Sequence, residues 1–293
     1  MKILATICHY YKAGGEKQYG SLGGNARARA DALGRTIMAL HEVAATPGML
    51  HPPDLKVIPA NEPTCHKLDV VVCTTGADHL LDSLDLPDRL YRQHATEAEP
   101  KLLGFECHDV LRDGLGKYDF FCYQEDDIVI RDPWFFAKHL WFATWAGPDR
   151  VLQPNRYELS AKARVHKVYI DGDIAVKHTR KHQSLTDMPD LMSRAMNLPL
   201  RFRGSPNPHA GCFFLNGGQM RKWTDQDYFL DRDISFMGPL ESAATLGVLR
   251  CFDLFKPAPE CAHFLEVLHA DNRYLDNRLQ IDRRLRFKVG APK

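Results

Sequence analysis

The chain opens on an apolar run of strand length, Ile3-Leu4-Ala5-Thr6-Ile7-Cys8, and then turns polar and glycine-rich from Gly14 to Gly24. Asn25 is a residue type that accepts hydrogen bonds from the first N–H groups of a helix, and the Ala-, Leu- and Arg-rich stretch Ala26 to Val43 follows it, which predicts a capped helix. Five prolines between Pro47 and Pro63 predict an irregular connection. The run from Leu68 to Thr75 predicts a second strand. Asp88 to His94 and Leu102 to Leu115 read as helices, the latter ended by Gly114 and Gly116. Strand and helix thus alternate over residues 1–130, the pattern of βαβ units and a parallel sheet.

Asp132-Pro133 places a cap residue before a proline suited to a first helical turn. Trp134, Trp141 and Trp145 recur at helical spacing after it and predict an aromatic core stripe. Val151 to Glu158 begins as a strand and turns polar. The region 160–208 is polar and proline-punctuated, with one short helix expected at Leu191 to Met196, and its position suits contact with a variable substrate. His209 to Met220 reads as strand, tight turn and helix. Gly238-Pro239-Leu240-Glu241 opens a helix over Ser242 to Leu254, and the last apolar stretch, Cys261 to Asp271, carries His269 near its end.

One stretch stands apart. Tyr118-Asp119-Phe120-Phe121-Cys122-Tyr123-Gln124 is almost continuously apolar, as a strand buried on both faces would be, and it ends in Glu125-Asp126-Asp127 before Ile128-Val129-Ile130 returns inward. In open α/β sheets ligands gather at the carboxyl ends of the strands, where these acids lie. Three adjacent carboxylates repel one another and need a cation, and oxygen-only ligands suit magnesium or manganese.

Composition narrows the field without deciding it. A hydrophobic content of 44% with 26% charged residues is ordinary for a globular protein with ample core. With 38 basic and 37 acidic residues the net charge is +1, and no nucleic-acid module is present, so no nucleic-acid partner is expected. The eight cysteines form no C-x-x-C pair, and Cys8, Cys73, Cys122 and Cys212 sit inside apolar runs, as buried free thiols do in a reducing compartment. No apolar run approaches the ~18 residues of a membrane span, and Met1 to Cys8 is too short for a signal-peptide core. A cytoplasmic protein is expected. The basic runs Lys177-His178-Thr179-Arg180-Lys181-His182 and Arg283-Arg284-Leu285-Arg286-Phe287-Lys288 are of a kind that usually forms a solvated face, and either could meet a diphosphate or, in peripheral association, an anionic membrane surface.

Taken in order, the N-terminal strand and loop, the acidic D-x-D-like motif Glu125-Asp126-Asp127 and the later Glu241 and His269 resemble the GT-A class of nucleotide-sugar-dependent glycosyltransferases. The resemblance covers most of the chain in layout, but only the acidic triplet is a motif. It implies an α/β fold with a mostly parallel central sheet flanked by helices: one GT-A-like domain over residues 1–293. Residues 1–130 would form the Rossmann-like nucleotide-sugar half, and 131–293 an acceptor-side half. The implied activity is hexosyl transfer from a nucleoside-diphosphate-sugar, a UDP-sugar, to a hydroxyl of a glycan or other acceptor, as in polysaccharide biosynthesis. The implied metal, manganese or magnesium, would be held by Asp127 with Glu125 and His269. Thr6, Tyr10, Tyr11 and Thr74, at the ends of the first strands, with Glu125 and Asp126, would contact the nucleotide-sugar. The family motif usually begins with Asp, and Glu125 in its place leaves the ribose contact open.

Glu241 matches an acid kept at a helix start near the acceptor, where a carboxylate can take the proton of the attacking hydroxyl. An acid there also simply complements the helix dipole, and Asp225, Asp227, Asp231 and Asp233 compete for the role. Two alternatives remain open. A sugar-nucleotide nucleotidyltransferase would want a glycine-rich loop ending in a basic residue nearer the first strand than Gly20-Ser21-Leu22-Gly23-Gly24-Asn25-Ala26-Arg27 lies. A non-catalytic glycosyltransferase-like protein would bind metal and nucleotide without turnover.

Overall fold

The computed structural model describes residues 1–14, 25–45, 47–61, 66–161, 165–175, 177, 179–270 and 274–275. The glycine-rich stretch after Gly14 and the basic run 283–288 lie outside the described residues, as does His178 of the other basic run. Strand β1 (Lys2–Cys8) leads to helix α1 (Ala26–Ala44), whose first N–H groups are capped by Asn25: its side-chain oxygen accepts from Arg27 and Ala28 at 3.0 and 3.3 Å. The proline-rich connection is not irregular. β2 (Gly48–His51) and β3 (Lys56–Pro59) pair as an antiparallel hairpin. Its prolines occupy the turn and a strand end, where a missing N–H costs no ladder bond.

β4 (Lys67–Thr75) runs parallel to β1. Asp88 to His94 departs from the expected helix: a single 3-10 turn at Asp88–Leu90 gives way to β5 (Arg92–Thr96), which pairs parallel to β4. Helix α2 (Leu103–Asp113) precedes β6 (Phe120–Glu125), the acid-tipped strand, parallel to β1 on its other side. After the short β7 (Ile128–Val129), helix α3 (Phe135–Ala146) begins two residues later than Asp132-Pro133 predicts: Trp134 holds the cap position without a side-chain cap, and Asp132 Oδ1 accepts from the Trp134 N–H at 2.9 Å in the turn before it.

The second half is richer in strand than its composition suggests. β8 (Arg150–Leu152), β9 (Asn155–Leu159) and β10 (Lys167–Tyr169) are followed by β11 (Leu191–Ala195) and β12 (Leu198–Gly204). β11 corrects the helix expected at Leu191 to Met196. Its burial alternates, and Met196 and Asn197, at φ 48° and 63°, form a two-residue turn into β12, so hairpin geometry overrides the helix preference of Leu, Met and Ala. β13 (Cys212–Asn216) enters α4 (Gly217–Thr224) through a capping box between Asn216 and Gln219. α5 (Pro239–Glu241) continues through a π-helical turn at Ser242–Leu246 into α6 (Gly247–Cys251), then β14 (Asp253–Pro257) and β15 (Glu266–His269).

The protein is α/β. Its five-stranded sheet has the order β13-β6-β1-β4-β5, parallel throughout except for β13, and is therefore mixed. Two four-stranded sheets, β10-β9-β15-β7 and β11-β12-β14-β8, complete the second half. Alternation along the central strands divides the core into two layers. Ile3, Ala5, Ile7, Val70, Val72, Phe120 and Cys122 face α1 and α3, whereas Leu4, Val71, Phe121 and Tyr123 face α2, α4 and α6. Burying one such phenylalanine is worth about 2–3 kcal/mol, and β6 is buried at all six positions. The aromatic stripe of α3 is only half core: Phe135, Phe136 and Phe142 are buried, but Trp134 and Trp145 are 58% and 41% exposed.

Candidate functional site

The acidic triplet lies where β6 leaves the sheet. Glu125 ends the strand, and its N–H donates to the Gly211 carbonyl at 2.8 Å. Gly211 has φ +65°, and a Cβ there would stand 3.1 Å from Glu125 Oε2 and 2.9 Å from Ile128 Cδ1, so both backbone and space require glycine. Asp126 and Asp127 form the turn into β7. The Asp126 carbonyl accepts from Thr36 Oγ1 at 3.1 Å, and the Asp127 carbonyl accepts from the Ala270 N–H at 2.8 Å, which ties the turn to α1 and to the end of β15.

All three acids are buried, and each has a different electrostatic fate. Asp126 is committed. His9 Nδ1 donates to it at 2.6 Å, with His9 Nε2 accepting from the Leu80 N–H, and the Arg29 guanidinium bonds its other oxygen. Burial pulls its pKa up, but Arg29 and His9 outweigh burial and hold it below the usual range. Arg29 also reaches Asp127 Oδ2 at 3.2 Å. Glu125 goes the other way: burial first, then the Asp127 charge, push it up to about 8. Among the described residues, Glu125 Oε1 and Asp127 Oδ1 have no hydrogen-bond partner; His209 Nε2 stands 3.8 Å from Glu125 Oε1, and burial holds that imidazole well below its usual pKa, so it brings no charge.

The wall opposite is built by β9, β14 and β15. Period-two alternation turns Arg156 and Glu158 of β9 to the same side. Arg156 donates through Nε to Asp171 at 2.9 Å, and Lys256 Nζ donates to the same carboxylate at 3.0 Å and to the His209 carbonyl at 2.6 Å. Burial opposes ionisation of Asp171, but Arg156 and Lys256 more than offset it and hold the acid well below its usual value. His269 ends β15 with Nδ1 2.8 Å from Glu158 Oε1 and Nε2 3.6 Å from Asp127 Oδ2. Burial lowers its pKa, but Asp127 and Glu158 raise it further, for a net upward shift.

The residues expected from sequence divide clearly. Glu125, Asp127 and His269 come together, and half-buried Glu241, in the first turn of the α5–α6 helix, lies within electrostatic reach of Glu125. Asp126, expected to contact the nucleotide-sugar, has both its oxygens bonded, one by His9 and the other by Arg29. Thr6 and Thr74, expected to make the same contact, lie inside the sheet. Both are fully buried; Thr6 donates to the Cys122 carbonyl at 3.2 Å, and Thr74 accepts from Gln93 at 2.9 Å. Tyr10 turns toward Asp78 at 3.4 Å, and the Tyr11 N–H donates to the Asp78 carbonyl at 2.9 Å, so both stay at the rim beyond β1. Sequence reasoning missed His9, Arg29, Arg156, Glu158, Asp171, His209 and Lys256. Only the Arg156, Glu158 pair carried a signal, as charged residues two apart in a strand.

For a divalent cation the donor set fits in its chemistry. Glu125 Oε1 and Asp127 Oδ1 lack partners among the described residues and His269 Nε2 lies 3.6 Å from Asp127 Oδ2, although among the described residues no three His, Cys, Asp or Glu side chains stand close enough to hold an ion as placed. Arg29 supplies the positive charge that the acids require. No known protein family matches the chain, and no curated protein matches it. Among the described residues no helix is long and apolar enough to cross a membrane.

Proposed function

We propose that the protein is a metal-dependent glycosyltransferase of GT-A-like fold, transferring a sugar from a nucleoside-diphosphate-sugar, a UDP-sugar, to a hydroxyl of a glycan or other acceptor. The observation that carries this reading is the pair of buried carboxylate oxygens, Glu125 Oε1 and Asp127 Oδ1, without partners among the described residues, at the carboxyl end of a central strand, with His269 beside Asp127. Asp127, Glu125 and His269 would hold manganese or magnesium, which supplies positive charge to a departing diphosphate. Glu241 would take the proton of the acceptor hydroxyl as its oxygen bonds to the anomeric carbon and the sugar–phosphate bond breaks. Arg156 and Lys256, behind the acids, offset the charge of Asp171.

The test is nucleoside diphosphate release from a panel of nucleotide-sugars with manganese or magnesium. Asp127→Asn should abolish metal-dependent release, and Glu241→Gln should slow transfer about 10²-fold or more. Metal-dependent release undiminished in Asp127→Asn would remove the metal assignment, and an unchanged rate in Glu241→Gln would remove the base. Arg29 is the observation that favours the non-catalytic alternative, because its guanidinium already offsets Asp126 and Asp127. Under that reading a nucleotide-sugar raises the melting temperature but no donor is turned over.

A further inference from the structure

Glu158 has no place in the reading above, yet its carboxylate is tied to a histidine and two backbone N–H groups. It is fully buried on β9. β9 pairs parallel to β15 with Tyr157 opposite Leu268, which brings the next residues, Glu158 and His269, side by side. Glu158 Oε1 lies 2.8 Å from His269 Nδ1 and 3.3 Å from the Tyr274 N–H, and Oε2 accepts from the Leu275 N–H at 2.5 Å. A carboxylate that receives backbone N–H groups on both oxygens is held as an acceptor, so the ring nitrogen facing it carries the hydrogen. The other ring nitrogen, Nε2, points at Asp127 Oδ2 from 3.6 Å, too far for a hydrogen bond. The Tyr274 ring packs against the imidazole at 5.7 Å.

We propose that Glu158 is a positioning residue that fixes His269 with its hydrogen on Nδ1 and its Nε2 lone pair facing the Asp127 carboxylate. The consequence for a cation rests on the metal reading above; the positioning itself does not. A histidine whose second nitrogen is held by a carboxylate is the usual form of an oriented metal ligand, and loss of such a partner costs about 10- to 100-fold in metal affinity.

Two measurements test this on the full chain. Nitrogen–proton correlation spectra at mildly alkaline pH report the tautomer of neutral His269 without metal. The wild type should show the Nδ1–H form, Glu158→Ala a mixture, and Glu158→Gln, which keeps an acceptor oxygen, mostly the wild-type form. Manganese alone, titrated by thermal shift, should bind Glu158→Ala about 10- to 100-fold more weakly than wild type, with Glu158→Gln recovering most of the loss. A purely packing role would lower the metal-free melting temperature and leave the tautomer unmoved. An Nε2–H tautomer in the wild type overturns the proposal whether or not the variants fold, as does a folded Glu158→Ala with wild-type tautomer and manganese affinity. A tautomer that depends on Glu158 in a protein indifferent to manganese upholds the positioning and removes the metal reading alone.

Discussion

Arg29 is the residue on which the acidic turn rests. It bonds Asp126 and Asp127 from α1, with a side chain only 13% exposed. Removing one partner of a buried ion pair leaves uncompensated charge, so Arg29→Met should lower the unfolding free energy by about 3–5 kcal/mol in urea titrations with chelator present. Manganese should restore more of that stability in the variant than it adds to wild type, because the vacated charge is what a cation at Asp127 would supply. The acids were legible in the sequence because they are contiguous and interrupt an apolar run. Their partners were not. His9 lies 117 residues from Asp126 and Arg29 lies 98 from Asp127, and nothing local distinguishes an arginine aimed across the fold from one facing solvent. The expectation from sequence was that the triplet needs a cation. It did not foresee that the protein's own guanidinium provides one.

At the scale of elements, legibility followed burial and local caps. β6 could be read because burial on both faces leaves an unbroken apolar string, and α1 because Asn25 marks its start. Asn25→Ala removes the acceptor for two N–H groups and should cost about 1 kcal/mol, read as a lower melting temperature. β5 and β11 depart from the helices expected there because none of their residues is buried, so side-chain pattern says little and strand pairing decides their form. Gly211 joins an element to the site. Gly211→Ala meets a positive φ and would press Glu125 and Ile128 at once, so it should destabilise the fold by about 1–2 kcal/mol or more. A variant as stable as wild type would mean that β13 starts with more freedom than its contacts with β6 indicate.

For the whole molecule, the sheet with a core on each face places one neutral histidine in each layer. His108, on α2, is ringed by Phe105, Tyr123, Phe213 and Trp223, and His139, on α3, by Phe120, Phe135 and Phe214. Burial pushes both down to about 3, with the Ala243 carbonyl opposing it slightly at His108 and Lys138 adding to it at His139. The folded-state value lies below the unfolded one near 6.5, so between those limits the unfolded chain binds more protons and stability falls as pH falls. Each histidine contributes a slope of about 1.4 kcal/mol per pH unit across that window. Glu125 acts in the opposite sense: its folded value of about 8 exceeds the unfolded one, and its contribution is lost as pH rises toward 8. The wild-type slope is therefore a sum, and a variant isolates one member of it. His108→Phe keeps the ring and removes the proton site, so its unfolding free energy should fall less steeply than that of wild type between pH 6 and pH 4, by about 1.4 kcal/mol per unit. Parallel slopes in urea titrations across that range would mean that His108 protonates in the folded protein, and that the layer between α2 and the sheet admits water.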